Sequence, residues 1–207
     1  MKSGHKPLRI LHAVGPGDAV DSFRHWRLGA SYESETSIPY SAQYFSFCRE
    51  HGVETHVVSS HPRVEAVRDG GFVVENKPKR GGASARGAWF HLREVVYGLS
   101  IVFLGVRYRA DIALIDSGTS YWFVFGLFRL FGIQPIDNFH NAFWPAGFPP
   151  RKRSTRFIHR LDGMYLRWFG RVQIGVSPEC QRQAEQLAGK RLKFIQYNAI
   201  YLVAAFE

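Results

Sequence analysis

Short runs of apolar residues rich in β-branched side chains alternate along this chain with longer segments in which apolar positions return every three or four residues. Residues 8–14 (LRILHAV) form the first run and end in Gly15-Pro16-Gly17, the pattern of a buried strand leaving into a tight loop. Residues 18–39 keep no sustained period and predict a long loop, with at most a short helix at 22–28. Tyr44, Phe45, Phe47 and Cys48 then recur at helical spacing up to a stop at Gly52, and 53–59 (VETHVVS) reads as a second strand. A short strand at 72–75, a Gly- and Lys/Arg-rich loop at 76–87, a long helix at about 88–108 and a strand at 110–116 (ADIALID) follow.

Thr119 or Ser120 is the expected cap of a helix to Phe131 that is hydrophobic on every side. After a strand at 134–139 and a loop carrying Pro145, Pro149 and Pro150, Ser154 is the expected cap of a helix whose Phe157, Leu161, Tyr165 and Trp168 face inward. A strand at 172–176, a helix opened by Ser177-Pro178-Glu179 and a strand at 193–197 complete the series. Strands that are near-continuous apolar runs, alternating with helices, predict a doubly wound, Rossmann-like α/β fold with a parallel sheet covered on both faces. The chain has 207 residues, and one domain over 1–207 is expected.

Composition changes this picture little: 45% hydrophobic and 21% charged residues are those of a globular chain. Charge changes it more. The net charge is +10, and residues 147–207 hold 11 Lys/Arg against 4 Asp/Glu, so the last third is the basic part and favours anionic partners. Cys48 and Cys180 show no ligand spacing, which points to structural thiols, a reducing cytoplasmic setting and no metal site. The first apolar run is short and broken by His12, so no signal peptide is expected. The apolar stretches at 95–106 and 121–133 fall short of the roughly 20 residues of a spanning helix.

In a sheet of this class, ligands bind beyond the carboxyl ends of the strands, which singles out Gly15, Pro16, Gly17 and Asp18, then Asp116, Ser117 and Gly118, then His140 and Asn141, and finally Ser177. The first of these loops lacks the third glycine of a dinucleotide fingerprint, and strand two ends without a ribose-binding acid. No Gly-Lys-Ser/Thr phosphate loop occurs, and 81–87 (GGASARG) lacks the lysine. No nucleophile elbow or paired carboxylates are present, which leaves hydrolase readings without support. His140 ends an apolar strand and opens an aromatic loop, where an imidazole can exchange a proton near neutral pH.

Taken in order, LRILHAVGPGD, CREHGVETHVVS, ADIALIDSG, QPIDNFHN and RVQIGVSPECQRQAEQLAG with KFIQYNAI resemble the amino-terminal domain of family-4 GT-B glycosyltransferases over nearly the whole chain. The resemblance implies a metal-independent, usually retaining enzyme in which this half takes a glycan or lipid-linked acceptor. A second domain, absent from the sequence up to Glu207, would hold a nucleotide-sugar co-substrate, and no other cofactor is implied. It also implies that 15–18 and His140 line the cleft, with His140 contacting the transferred sugar. The pattern departs at Asn198-Ala199, where members commonly continue with Asn-Gly. Lys77, Lys79, Arg80, Arg86, Arg151, Lys152 and Arg153 would form an anionic-surface contact placing the domain on a membrane face. A reading of another class, a non-catalytic basic α/β module binding nucleic acid or an anionic surface, stays open because Trp144 lies near Arg151-Lys152-Arg153, although nucleic acid is the less expected partner.

Overall fold

The expected strand runs pair into one eight-stranded sheet in the order β3-β4-β2-β1-β5-β6-β7-β8 in the computed structural model, which describes residues 6–29, 38–80, 86–145 and 147–196. The strands are β1 Arg9–Val14, β2 Glu54–Ser59, β3 Glu65–Asp69, β4 Phe72–Asn76, β5 Ile112–Asp116, β6 Gln134–Phe139, β7 Gln173–Gly175 and β8 Phe194–Gln196. The helices are α1 Ala19–Arg27, α2 Ile38–Glu50, α3 Gly87–Tyr108, α4 Arg153–Trp168 and α5 Pro178–Ala188, with a 3-10 helix at Trp122–Phe131. The glycine-rich segment 81–85 and the end of the last expected strand, at Tyr197, lie outside the described residues.

The sheet is parallel except for β3, which pairs antiparallel with β4 across a turn at Gly70. Sequence reading passes over β3 because EAVRD offers two apolar residues among three charges. Those charges suit an edge strand, where they oppose pairing with another chain. Strand order reverses between β1 and β5: the chain first builds outward to β2 and β4, then returns to the other side of β1. That reversal is the switch point at which a crevice opens.

Side-chain parity assigns the two faces. Ile10, Val57, Val74 and Leu114 pack with Phe23 of α1 and with Tyr44, Phe45 and Cys48 of α2. Leu11, Ala13, Ala113, Ile115 and Phe139 pack with Tyr97 and Ile101 of α3, with Phe125 and Phe128 of the 3-10 helix, and with Tyr165 and Leu166 of α4. A strand residue therefore meets α1 and α2 or the opposite layer according to its position in the two-residue repeat.

Four local expectations change. α1 begins three residues early because the Asp18 carboxylate accepts the Asp21 N–H at 3.0 Å and caps it. The helix after β5 is a 3-10 helix. Thr119 and Ser120 do not cap it: they donate to the Ala13 carbonyl at 2.9 Å and the Glu94 carbonyl at 2.6 Å, tying the segment to β1 and α3. Lys152, with no side-chain cap bond, precedes α4 in place of Ser154. On α4 the buried stripe is Asp162, Gly163, Tyr165 and Leu166, while Phe157 and Trp168 point outward, 61% and 63% exposed. The shift has a steric origin: a Cβ on Gly163 would lie 2.3 Å from the Leu187 carbonyl oxygen, so α5 crosses α4 at the position without a side chain.

The apolar stretch at 95–106 belongs to the 22-residue α3, which is by length and composition apolar enough to cross a membrane, contrary to the shorter expectation. Its inner face is docked on the sheet. Gly105 meets Leu11 and Phe128, and buried Glu94 is paired with Lys79 at 2.5 Å.

Candidate functional site

At the switch point the side chains of three neighbouring strands converge. His12 of β1, Asp116 of β5 and Asn138 of β6 share one parity and point toward α2, and the register sets Asp116 beside Asn138. The Asp116 carboxylate lies between two imidazoles, with His12 Nε2 at 3.1 Å and His140 Nε2 at 3.2 Å. Asn138 Nδ2 donates to the other Asp116 oxygen at 2.8 Å and reaches the Tyr40 hydroxyl at 2.8 Å. The Tyr40 ring meets His140 edge-on, with centroids 5.0 Å apart. Ser117 Oγ accepts the His140 N–H at 3.2 Å, which fixes the start of the aromatic loop.

Burial alone would raise the Asp116 carboxyl. The facing imidazoles, His12 foremost, more than offset it and hold the group well below the ordinary carboxylate range. His140 Nε2 faces both the Asp116 carboxylate and Asn138 Nδ2, the latter at 3.1 Å. His140 is the member that reaches solvent, its side chain 26% exposed against 1% for His12. The arrangement suits a group that must be oriented, charge-compensated and able to exchange a proton with a hydroxyl.

Beside this cluster lies a cavity of about 440 Å³ at the carboxyl ends of β5 and β6. Ser117, Gly118 and Asn141 line it, with Tyr121, Phe143 and Asp162 among its walls. His91 Nδ1 lies 2.6 Å from the Tyr121 hydroxyl, which sets that ring. Asp162 is 3% exposed, and its carboxyl accepts the Phe123 N–H at 3.0 Å. Burial raises it to about 7, so it exists in both protonation states near neutral pH.

The glycine loop after β1 is held against this site by backbone contacts. A Cβ on Gly15 would approach the Ser117 carbonyl oxygen to 3.1 Å, and the Gly15 carbonyl accepts the Ser60 N–H at 2.9 Å. Gly118 at φ +87° lies against Pro16. The start of α1 is already occupied: Asp18 takes the Asp21 N–H, and Asn76 Oδ1 takes the Ala19 N–H at 3.2 Å. Burial works against the Asp18 charge, but bonds from Asn76 and Asp21 and the nearby His61 and Arg63 keep its pKa below the ordinary value. A phosphate at this helix start would face a carboxylate, so the loop is better suited to hydroxyl groups.

Thus the structure brings Asp116, Ser117, Gly118, His140 and Asn141 together, with Gly15 and Pro16 as backing. Ser177 stands apart, its hydroxyl capping α5 through the Cys180 N–H at 3.3 Å. Of the cations expected on an anionic surface, Arg80, Arg86, Arg151, Lys152 and Arg153 are exposed and Lys77 is half-buried. Lys79 is not a surface group: Glu94 and the Tyr97 ring hold it, and it reaches the Gly118 carbonyl at 3.4 Å. Sequence reading missed His12, Tyr40, Asn138 and Asp162. The one available signal was a histidine inside an otherwise apolar strand.

No protein-family model matches this chain, and no curated protein matches it either. Among solved structures, sucrose-phosphate synthase from Thermosynechococcus elongatus is similar over 91% of this chain at 12% identity and a TM-score of 0.57. The match covers 48% of that chain, so the present chain spans about half its length. A second, shorter structure of sucrose-phosphate synthase from that organism is similar over 94% of this chain and 91% of its own, at 10% identity and a TM-score of 0.52. By its mixed, mostly parallel sheet, its switch point and these likenesses, the chain has the fold of a GT-B amino-terminal domain.

Proposed function

We propose that this chain is the acceptor-binding half of a glycosyltransferase of the family-4 type. In this reading a second domain presents a nucleotide sugar to a glycan or lipid-linked acceptor held at the carboxyl edge of the sheet. The carrying observation is the aromatic-walled cavity of about 440 Å³ beside the solvent-reaching His140 of the His12–Asp116–His140 cluster. Flat rings such as Tyr121 and Phe143 suit the C–H faces of a sugar, and Ser117, Asn141 and Asp162 suit its hydroxyls. Asp116 orients His140, which would hold or exchange the proton of an acceptor hydroxyl. The retaining outcome is carried over from the resemblance, and no residue here is assigned a metal.

Titration of the chain with neutral oligosaccharides tests this reading: weak, saturable binding that Tyr121→Ala weakens supports it. Steeply salt-dependent binding to generic oligonucleotides, with no saccharide preference, would instead favour a nucleic-acid module. In the enzyme that unites this domain with a donor domain, His140→Ala is expected to lower kcat about 10²-fold or more, as loss of a positioned proton-transfer group does, with the fold intact. Near-normal turnover would remove His140 from the site.

One further observation bears on where the acceptor comes from. Trp89, Leu92, Val96, Leu99 and Phe103 form one outward stripe of α3, between 43% and 67% exposed, and the exposed charges at its caps and last turn, Arg86, Arg107 and Arg109, are cationic. Such a stripe suits peripheral contact with an anionic bilayer on the cytoplasmic side, from which a lipid-linked acceptor would be drawn. Cosedimentation with phosphatidylglycerol vesicles, but not with phosphatidylcholine vesicles, is expected, and Leu92→Glu with Phe103→Glu should abolish it. Equal cosedimentation of the double variant would refute the contact.

A further inference from the structure

A second cavity, also of about 440 Å³, lies between α4, α5 and the proline loop, away from the Asp116 cluster. One wall is cationic: Arg156, Arg160 and Arg167 succeed one another along α4 over 11 residues, roughly 16 Å of helix. Among the described residues none of the three has a carboxylate within ion-pair distance. The acids on the two elements are engaged elsewhere. Asp162 points to the opposite face of α4 and binds the Phe123 N–H, Glu179 is held by Arg182 and Gln183, and Glu185 accepts from Gln181 and the Leu192 N–H. Arg167 lies beside Gly189 at the carboxyl end of α5, whose dipole it complements. Arg156 and Arg160 have no such answer.

The facing wall is apolar and rigid. Trp144, 9% exposed, is locked by reciprocal bonds with Gln183: its N–H donates at 3.1 Å and its carbonyl accepts at 2.9 Å. Pro149 and Pro150 continue that wall. His159 packs against both Phe143 and Trp144, with centroids 6.3 and 5.4 Å away, and lines both this cavity and the one at the carboxyl edge. The groove therefore begins where the candidate acceptor pocket ends.

We infer that this groove is an exosite for an acidic glycan, the distal part of the acceptor whose reacting end lies in the carboxyl-edge cavity. The inference rests on the acceptor-binding reading above. Arginine forks match carboxylates bidentately, and flat apolar walls match the C–H faces of sugar rings, so opposing walls of these two kinds suit uronic-acid residues. The groove runs between two helices and a loop along roughly 16 Å of α4, a length that suits an extended chain.

The test is calorimetric titration of the full chain and of Arg156→Gln/Arg160→Gln with oligogalacturonate, maltotetraose, inorganic pyrophosphate and phosphatidylglycerol vesicles. Both arginines are exposed and bear no ion pair among the described residues, so the variant should keep its melting temperature, and Arg156→Lys/Arg160→Lys controls for charge without the fork. The expected result is that the parent binds oligogalacturonate at least tenfold more tightly than maltotetraose. The glutamine variant loses that preference, the lysine variant recovers part of it, and maltotetraose binding is unchanged in both. Equal binding of the acidic and neutral sugars by the parent would overturn the exosite and leave the acceptor reading standing. Pyrophosphate binding as tight as oligogalacturonate, or a double-variant effect confined to vesicles, would also overturn it. Failure of the parent to bind either sugar would overturn both readings.

Discussion

Replacing Asp116 with alanine is expected to lower the melting temperature by roughly 10 °C, from a loss of about 3–5 kcal/mol at a few degrees per kcal/mol for a domain of this size. The carboxylate is 5% exposed and is the partner of His12, His140 and Asn138. Without it His12, 1% exposed and with Nδ1 already unpartnered, retains no partner on Nε2 and becomes a buried polar ring with none of its bonds made. The same change frees the Asn138 amide and the His140 ring, so binding at the carboxyl-edge cavity should weaken with stability. Asp116→Asn preserves shape and separates the two effects. The folded-state pKa of Asp116 is depressed, so its contribution is present above its unfolded value near 3.8 and is lost as pH falls through the folded value. The stability gap between parent and Asp116→Asn should therefore be full at pH 7 and narrow on strong acidification. An identical melting temperature at pH 7 for parent and Asp116→Ala would show that the cluster contributes nothing to the fold.

Asp137→Asn should act in the opposite direction. Asp137 precedes Asn138 on β6 and so points to the other face, where it accepts the Tyr165 hydroxyl at 2.6 Å and lies beside Gln173. Burial raises its carboxyl to about 7. A raised folded-state pKa gives stability that is complete below the unfolded value near 3.8 and is lost as pH rises through about 7. At pH 8 the charged, buried group is thus a net penalty, on the order of 2–4 kcal/mol from about three units at 1.36 kcal/mol each, discounted for relaxation. Asparagine keeps an oxygen for Tyr165 and removes the charge. The variant should melt several degrees above the parent at pH 8, with the gap closing toward pH 4. Thermal melts from pH 4 to 8 decide this, and a gap that grows on acidification would reverse the assignment. Asp162, also raised to about 7, contributes a second transition of the same sign and should keep the parent from becoming fully pH-independent in the Asp137→Asn background.

Strand existence was legible in the sequence for β1, β2, β5 and β6: β1 and β5 are mostly apolar, whereas β2 (ETHVVS) and β6 (QPIDNF) also bury Thr55, His56, Ser59, Asp137 and Asn138. The loops beyond their carboxyl ends followed from that, and with them Asp116, Ser117, Gly118, His140 and Asn141. Edge strand β3 and the outward turn of Phe157 and Trp168 did not follow. One depends on a neighbouring strand, and the other on α5 crossing at Gly163. The helix from Trp122 is hydrophobic on every side, so its pattern revealed burial but carried no information about its 3-10 winding.

The polar partners inside the elements were decided only in three dimensions. His12, Asn138 and Asp137 read as interruptions of apolar runs, and nothing local distinguishes Asn138 from Asp137. Pairing of β6 with β5 sets Asn138 beside Asp116, and the two-residue repeat sends Asp137 to the opposite face. Sequence by itself determined which segments are buried and where their ends fall, since hydrophobic period and turn residues are local properties. Tertiary structure alone determined which buried polar groups meet, since contact between residues about a hundred positions apart, as for His12 and Asp116, depends on strand order and register.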